Sequence, residues 1–175
     1  MDPMRTLFHF PNPVNEIASR IVATGVVVMV AAALVLRQPW MVAVLAYGFV
    51  ARVLTGPTLS PLGQLATRYL AKRLPFAARP VPGAPKRFAQ GIGAVVTVSA
   101  AVLVLGFGER GPAWVLLAVL GVFALLESAL GLCMGCKMFA VLARAGLVPE
   151  AICEECNDLS LRARRLAEVG AESAA

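Results

Sequence analysis

Charge is scarce in this chain of 175 residues. Only 15% of them are Asp, Glu, Lys or Arg, and 59% are hydrophobic. Soluble domains carry about 25% charged and about 45–50% apolar residues. Too few polar side chains remain to solvate a globule, which argues against a soluble protein with buried helices. Histidine is nearly missing too, His9 being the only one. With one imidazole, most hydrolytic mechanisms lack a base. No Gly-rich phosphate loop and no Ser/His/Asp set is apparent. His9 itself reads as an interfacial residue, not a ligand. Cysteine is absent from the chain before Cys133. A cleaved signal peptide is not expected, since the first apolar stretch follows "FPNPVNEIASR" without a small-residue cleavage site.

What the chain does have is long uncharged runs: Ile21–Leu36, Trp40–Ala51, Phe88–Gly108 and Gly111–Leu126. A bilayer core takes roughly 20 residues of helix. These runs predict four spans, at about 17–36, 40–58, 88–108 and 112–137. The second and fourth reach full length only by taking Arg52 and Glu127 into the membrane. Lys and Arg near span ends set orientation. Arg68, Lys72, Arg73, Arg79, Lys86 and Arg87 crowd the 59–87 segment, and Arg144, Arg162, Arg164 and Arg165 the tail. The middle loop and both termini are therefore expected on the cytoplasmic side of an inner membrane. The net charge of +6 then reads as topology and contact with anionic lipids, not as nucleic-acid binding.

Local signals divide the chain further. Pro13 suits a first helical turn with Asn12 as its cap. Gly56-Pro57 breaks or kinks the second span. Ser60-Pro61 restarts a helix as N-cap and first residue. Over 61–74, Leu62, Leu65, Ala66, Tyr69 and Leu70 recur at helical spacing beside basic residues. That pattern suits a helix lying in the interface or one packed on the bundle. "PFAARPVPGAP" is a stiff connector. The fourth helix reads as continuous from Ala113 to Ala143, ending near Gly146. Pro149 then starts a tail helix to about 168, acidic first and basic later, in keeping with its dipole. Residues 1–145 thus form the membrane domain and 146–175 a cytoplasmic helix.

The spans look like two copies of one hairpin. Arg52 follows Trp40 by 12 residues and Glu127 follows Trp114 by 13, and Gly56 and Gly131 come four residues later. The two hairpins run the same way, as in parallel repeats. Matched depth suggests that Arg52 and Glu127 meet inside the bundle, since a lone charge costs at least about 2.5–3.5 kcal/mol there. The pair reads as a structural ion pair, a proton or ion relay, or a counter-ion for an anionic substrate.

The four cysteines form two C-x-x-C pairs, Cys133/Cys136 and Cys153/Cys156, separated by 16 residues. That spacing falls within the range of four-thiolate zinc sites. A tail helix folded back on span four would bring all four sulfurs level, and zinc would clamp the two. C-x-x-C on a helix is also a redox arrangement; Cys153, in the first turn of its helix, gains from the dipole while Glu150, Glu154 and Glu155 oppose it, and a cytoplasmic location favours transient over permanent disulfides. A third reading is inward transfer of a soft metal or sulfur by ligand exchange. Small mercury-transport proteins are similar in using vicinal cysteines this way, although no outward-facing cysteine starts such a relay here.

The segments "FPNPVNE", "RVLTGPTLSPLGQLA", "PGAPKRFAQGIGA", "LGLCMGCKMF" and "AGLVPEAICEEC" resemble DUF4395, a bacterial membrane family of unknown function. The likeness runs from about Phe8 to Asp158. It implies four spans and this cysteine framework, and it implies no activity. Relatives near genes for thioredoxin-like and sulfurtransferase proteins imply such partners. "GLCMGCKMF" is also similar to a short stretch of membrane domains fused to rhodaneses. The resulting expectation is an all-α integral membrane protein of two pseudo-repeated hairpins, an interfacial helix and a C-terminal cytoplasmic helix. It would handle thiols or sulfur at the cytoplasmic face through Cys133, Cys136, Cys153 and Cys156. The alternatives are a four-cysteine zinc-stabilised structural or partner-binding protein and a soft-metal or sulfur transporter. A homodimer through the small-residue face of "GIGAVV" is a further expectation.

Overall fold

The computed structural model describes residues 14–70 and 80–147, and these form an all-α bundle with one very short sheet. In the sheet, β1 (Val14–Asn15) pairs antiparallel with β2 (Pro80–Val81). The first helix, α1 (Glu16–Leu36), starts later than Asn12 and Pro13 suggest. Asn15 is its N-cap, and the side chain accepts the Ile17 N–H at 3.0 Å. The two extended residues of β1, paired with Pro80–Val81, are incompatible with an earlier helical start. At the other end Arg37 takes a left-handed conformation, φ 51°, and its N–H closes on the Ala33 carbonyl.

Pro39 opens α2 (Pro39–Thr55), where its missing N–H costs no bond. Gly56 ends α2 at φ 62°. Ser60 then caps α3 (Pro61–Gln64) by accepting the Gly63 N–H at 3.2 Å, as the Ser60-Pro61 pair suggests. This helix widens into a π-helical turn over Leu65–Leu70. Leu62 lies against Gly25 of α1 and Ala66 is buried, so α3 packs on the bundle. The last residues of the expected 61–74 helix lie outside the described residues.

After β2 come α4 (Gly83–Ala101), widening into a π turn over Val102–Gly106, and α5 (Arg110–Leu130). The expected continuous fourth helix from Ala113 to Ala143, with its span to 137, is not formed. Gly131 adopts φ 68°, its N–H bonds the Glu127 carbonyl, and Leu132 N–H bonds the Leu126 carbonyl. That is a Schellman ending, which a glycine at this position favours because it lacks a Cβ. A new helix, α6 (Met134–Arg144), begins after Cys133. The tail helix expected at 149–168 lies outside the described residues.

Within the bundle α1 packs chiefly on α5 and α2 on α4, while α6 lies against α4. The core stripes have helical spacing: Val26, Val30 and Ala33 on α1, Val42, Leu45 and Phe49 on α2, Ala113, Leu117, Leu120 and Ala124 on α5. The opposite faces are also apolar. Val28, Val35, Val95, Val115, Val122 and Leu125 are all exposed. An apolar exterior over an apolar core is the arrangement of a protein solvated by lipid. Three helices are long and apolar enough to cross a membrane: α1, the combined α4 with its π turn, and α5. The 17 residues of α2 extend about 25 Å, against a hydrocarbon core of about 30 Å.

The two glycines in "GIGAVV" differ. A Cβ on Gly93 would run into the Phe49 ring, whereas Gly91 faces open space. Gly93→Ala should therefore cost about 1–3 kcal/mol by overpacking, while Gly91→Ala should be neutral or gain up to about 1 kcal/mol in helix propensity. Unfolding of both variants in detergent checks this, and equal effects would contradict the packing described.

Candidate functional site

The break between α5 and α6 places a cysteine at the start of a helix. Cys133 is the N-cap of α6, and its sulfur accepts the Cys136 N–H at 3.2 Å. The C-x-x-C spacing is one helical turn, so Cys136 returns to the same side. The two are joined in a disulfide, with Cα atoms 5.2 Å apart. Cys133 is buried and Cys136 partly exposed. The intervening Gly135 lets α6 approach α4 closely, since a Cβ there would lie 2.6 Å from Ala89 Cα. The helix is pinned a second time by Phe88 and Phe139, whose ring centroids are 5.6 Å apart. On the other flank, Arg20 of α1 ties down the end of α5 through the Ser128 and Ala129 carbonyls, at 3.2 and 2.8 Å. Thr24 and Ser128 hydroxyls add a bond of 2.6 Å.

Behind Cys133 lies a cavity of about 110 Å³. Arg52, Lys86, Gln90 and Glu127 line it among apolar neighbours. Arg52 and Glu127 therefore share one cavity, from different helices. The ion pair inside it is a different one: Lys86 Nζ donates to Glu127 Oε1 at 2.6 Å. Lys86 lies 22 residues before Gly108 and Glu127 19 after it. Two antiparallel helices joined at that turn bring them level, and this register was the available signal for the pair. Arg52 is 4% exposed and lies over the Phe49 ring, 4.3 Å from its centroid. Its Nε and Nη1 have no hydrogen-bond partner among the described residues, and neither does Gln90 Oε1. Nothing in the residue pattern singled out Gln90, which reads as one polar position in an apolar run.

Cys153 and Cys156 lie outside the described residues, as do His9 and both termini. Among the described residues no group of three or more His, Cys, Asp or Glu side chains could hold a metal.

The profile of a family described as a domain of unknown function, DUF4395, matches residues 14–144. The chain belongs to the DUF4395 family. Every element from β1 to α6, and with them Arg52, Lys86, Gln90, Glu127, Cys133 and Cys136, falls inside the matched DUF4395 region. No curated protein and no solved structure matches the chain.

Removing one member of a buried ion pair strands the other. Lys86→Met or Glu127→Gln in this DUF4395 chain should each lose about 3 kcal/mol, the lower end for buried pairs because both side chains keep some access. The exchange Lys86→Glu with Glu127→Lys should recover much of that loss, read from unfolding midpoints in detergent. A double variant no better than either single one would show that the contact is not energetically coupled.

Proposed function

We propose that this protein is a multi-pass membrane thiol–disulfide protein whose working group is the Cys133/Cys136 pair at the cytoplasmic end of the bundle. The observation that supports it is the bond between these two cysteines across the first turn of α6. A thiol at a helix start has backbone N–H groups directed at it, which favours the thiolate that exchange chemistry requires. In the forward step Cys133 and Cys136 give up two electrons and two protons and become joined. A partner disulfide takes them up and becomes two thiols. The reverse step reduces the pair again. A thioredoxin-like or sulfurtransferase protein supplies suitable partner sulfurs, and Cys153/Cys156 would pass the same equivalents on.

Four spans accompany this reading. α2 would complete its crossing with the Gly56–Ser60 stretch, helped by local thinning of the bilayer. Two parallel hairpins account for several paired features. α1 lies on α5 as α4 lies on α2, α3 lies on α1 as α6 lies on α4, and Ser60 and Cys133 each cap a helix after a glycine break. In that repeat the second copy carries sulfur where the first carries a hydroxyl. The Lys/Arg-rich middle loop and the cysteine loop then share the cytoplasmic side.

Purified protein treated with oxidised thioredoxin and then a maleimide should leave Cys133 and Cys136 unlabelled until dithiothreitol is added. Cys136→Ser should trap a mixed disulfide through Cys133. Full labelling of both thiols after oxidation, or one tightly held zinc per chain with four unreactive cysteines, would rule the proposal out.

A further inference from the structure

We propose that the cavity behind Cys133 is a binding site for a small, singly charged oxyanion, held by the guanidinium of Arg52 and the amide of Gln90. The argument starts from charge. A guanidinium stays protonated in any protein setting. Arg52 is 4% exposed, yet its Nε and Nη1 lack partners among the described residues. Among the described residues the one carboxylate lining the cavity is Glu127, which attracts Arg52 through space but is hydrogen-bonded by Lys86 at 2.6 Å. Two cations and one anion leave a single positive charge. The face of Phe49, 4.3 Å away, attracts that charge and accepts no conventional hydrogen bond. A buried charge in this condition calls for a counter-ion.

Shape and polarity narrow the ligand. The edge of a guanidinium presents parallel N–H groups that match two oxygens of a planar oxyanion. Gln90 Oε1, also unpartnered, can accept from a hydroxyl on the ligand, and the amide nitrogen can donate if the group turns over. The volume of about 110 Å³ admits a few heavy atoms, the space of several waters. A second cavity of about 290 Å³ shares Arg52, Gln90, Ser19 and Val22 with the first, so Arg52 stands in the wall between them. Binding itself does not depend on thiol exchange.

The test uses the full-length protein in a neutral detergent at constant ionic strength and pH. Sodium bicarbonate and sodium nitrate are titrated against thermal unfolding, with gluconate as an anion too large for the cavity. A saturable rise in midpoint is expected with at least one small anion and none with gluconate. Arg52→Gln should weaken the apparent affinity about tenfold or more, as loss of charged hydrogen bonds implies. Gln90→Met should weaken it less, and it serves as the second variant if Arg52→Gln does not fold. Cys136→Ser, which removes the cysteine pair at a residue outside the cavity lining, should keep the full response, which separates this site from the thiol chemistry. Equal responses in wild type and Arg52→Gln would overturn the proposal. So would a response to added phosphatidylglycerol alone, which would assign the charge to a lipid headgroup, or an equal rise with gluconate.

Discussion

A cation held inside an apolar bundle needs an anion within reach, and the region around Glu127 is arranged by that requirement. Removing a carboxylate or an ammonium from water costs several kcal/mol per group even after relaxation. Lys86 and Glu127 offset this for one another across the α4–α5 hairpin at 2.6 Å. Their contact ties α4 to α5 at one register. Arg52 carries the remaining charge into the same cavity from α2. Three helices are thereby committed to meet at one level near one end of the bundle.

Two glycine breaks give that end its shape. Gly56 stops α2 and Gly131 stops α5, each at positive φ, and short helices restart from Ser60 and Cys133. A continuous helix would have carried Cys133 and Cys136 farther along the α5 axis. The break turns α6 onto α4 instead, where Gly135 meets the Ala89 backbone and Phe139 meets Phe88. The cysteine pair is consequently fixed by packing on α4, the helix that also supplies Lys86 and Gln90. Cys133 and the cavity lined by Arg52, Lys86 and Gln90 thus meet through α4.

Much of this was legible in the residues. The spans α1, α4 and α5 follow from uncharged runs, since hydrocarbon admits helices and few charges. The Ser60-Pro61 restart follows from capping chemistry. The small separation of Cys133 and Cys136 follows from their spacing. The Schellman stop at Gly131 was harder to see, because an isolated glycine is common inside membrane helices and only the φ of 68° distinguishes a stop from an interior position. The start of α1 was misplaced because the strand pairing of Val14–Asn15 with Pro80–Val81 is a long-range contact.

The sequence by itself determined that the chain is helical, that long apolar helices with apolar outer faces build it, and that its four cysteines are confined to Gly131–Cys156. These are one-dimensional properties, carried by hydropathy, periodicity and spacing. Only the tertiary structure decided which cation hydrogen-bonds Glu127 and which one lies over Phe49 with its Nε and Nη1 unbonded among the described residues. Arg52 and Lys86 are both basic residues at comparable depth, and no local pattern ranks them. The choice was made by helix register and by the approach of Phe49 to Gly93, which sets the Arg52 guanidinium over an aromatic ring while Lys86 reaches the carboxylate.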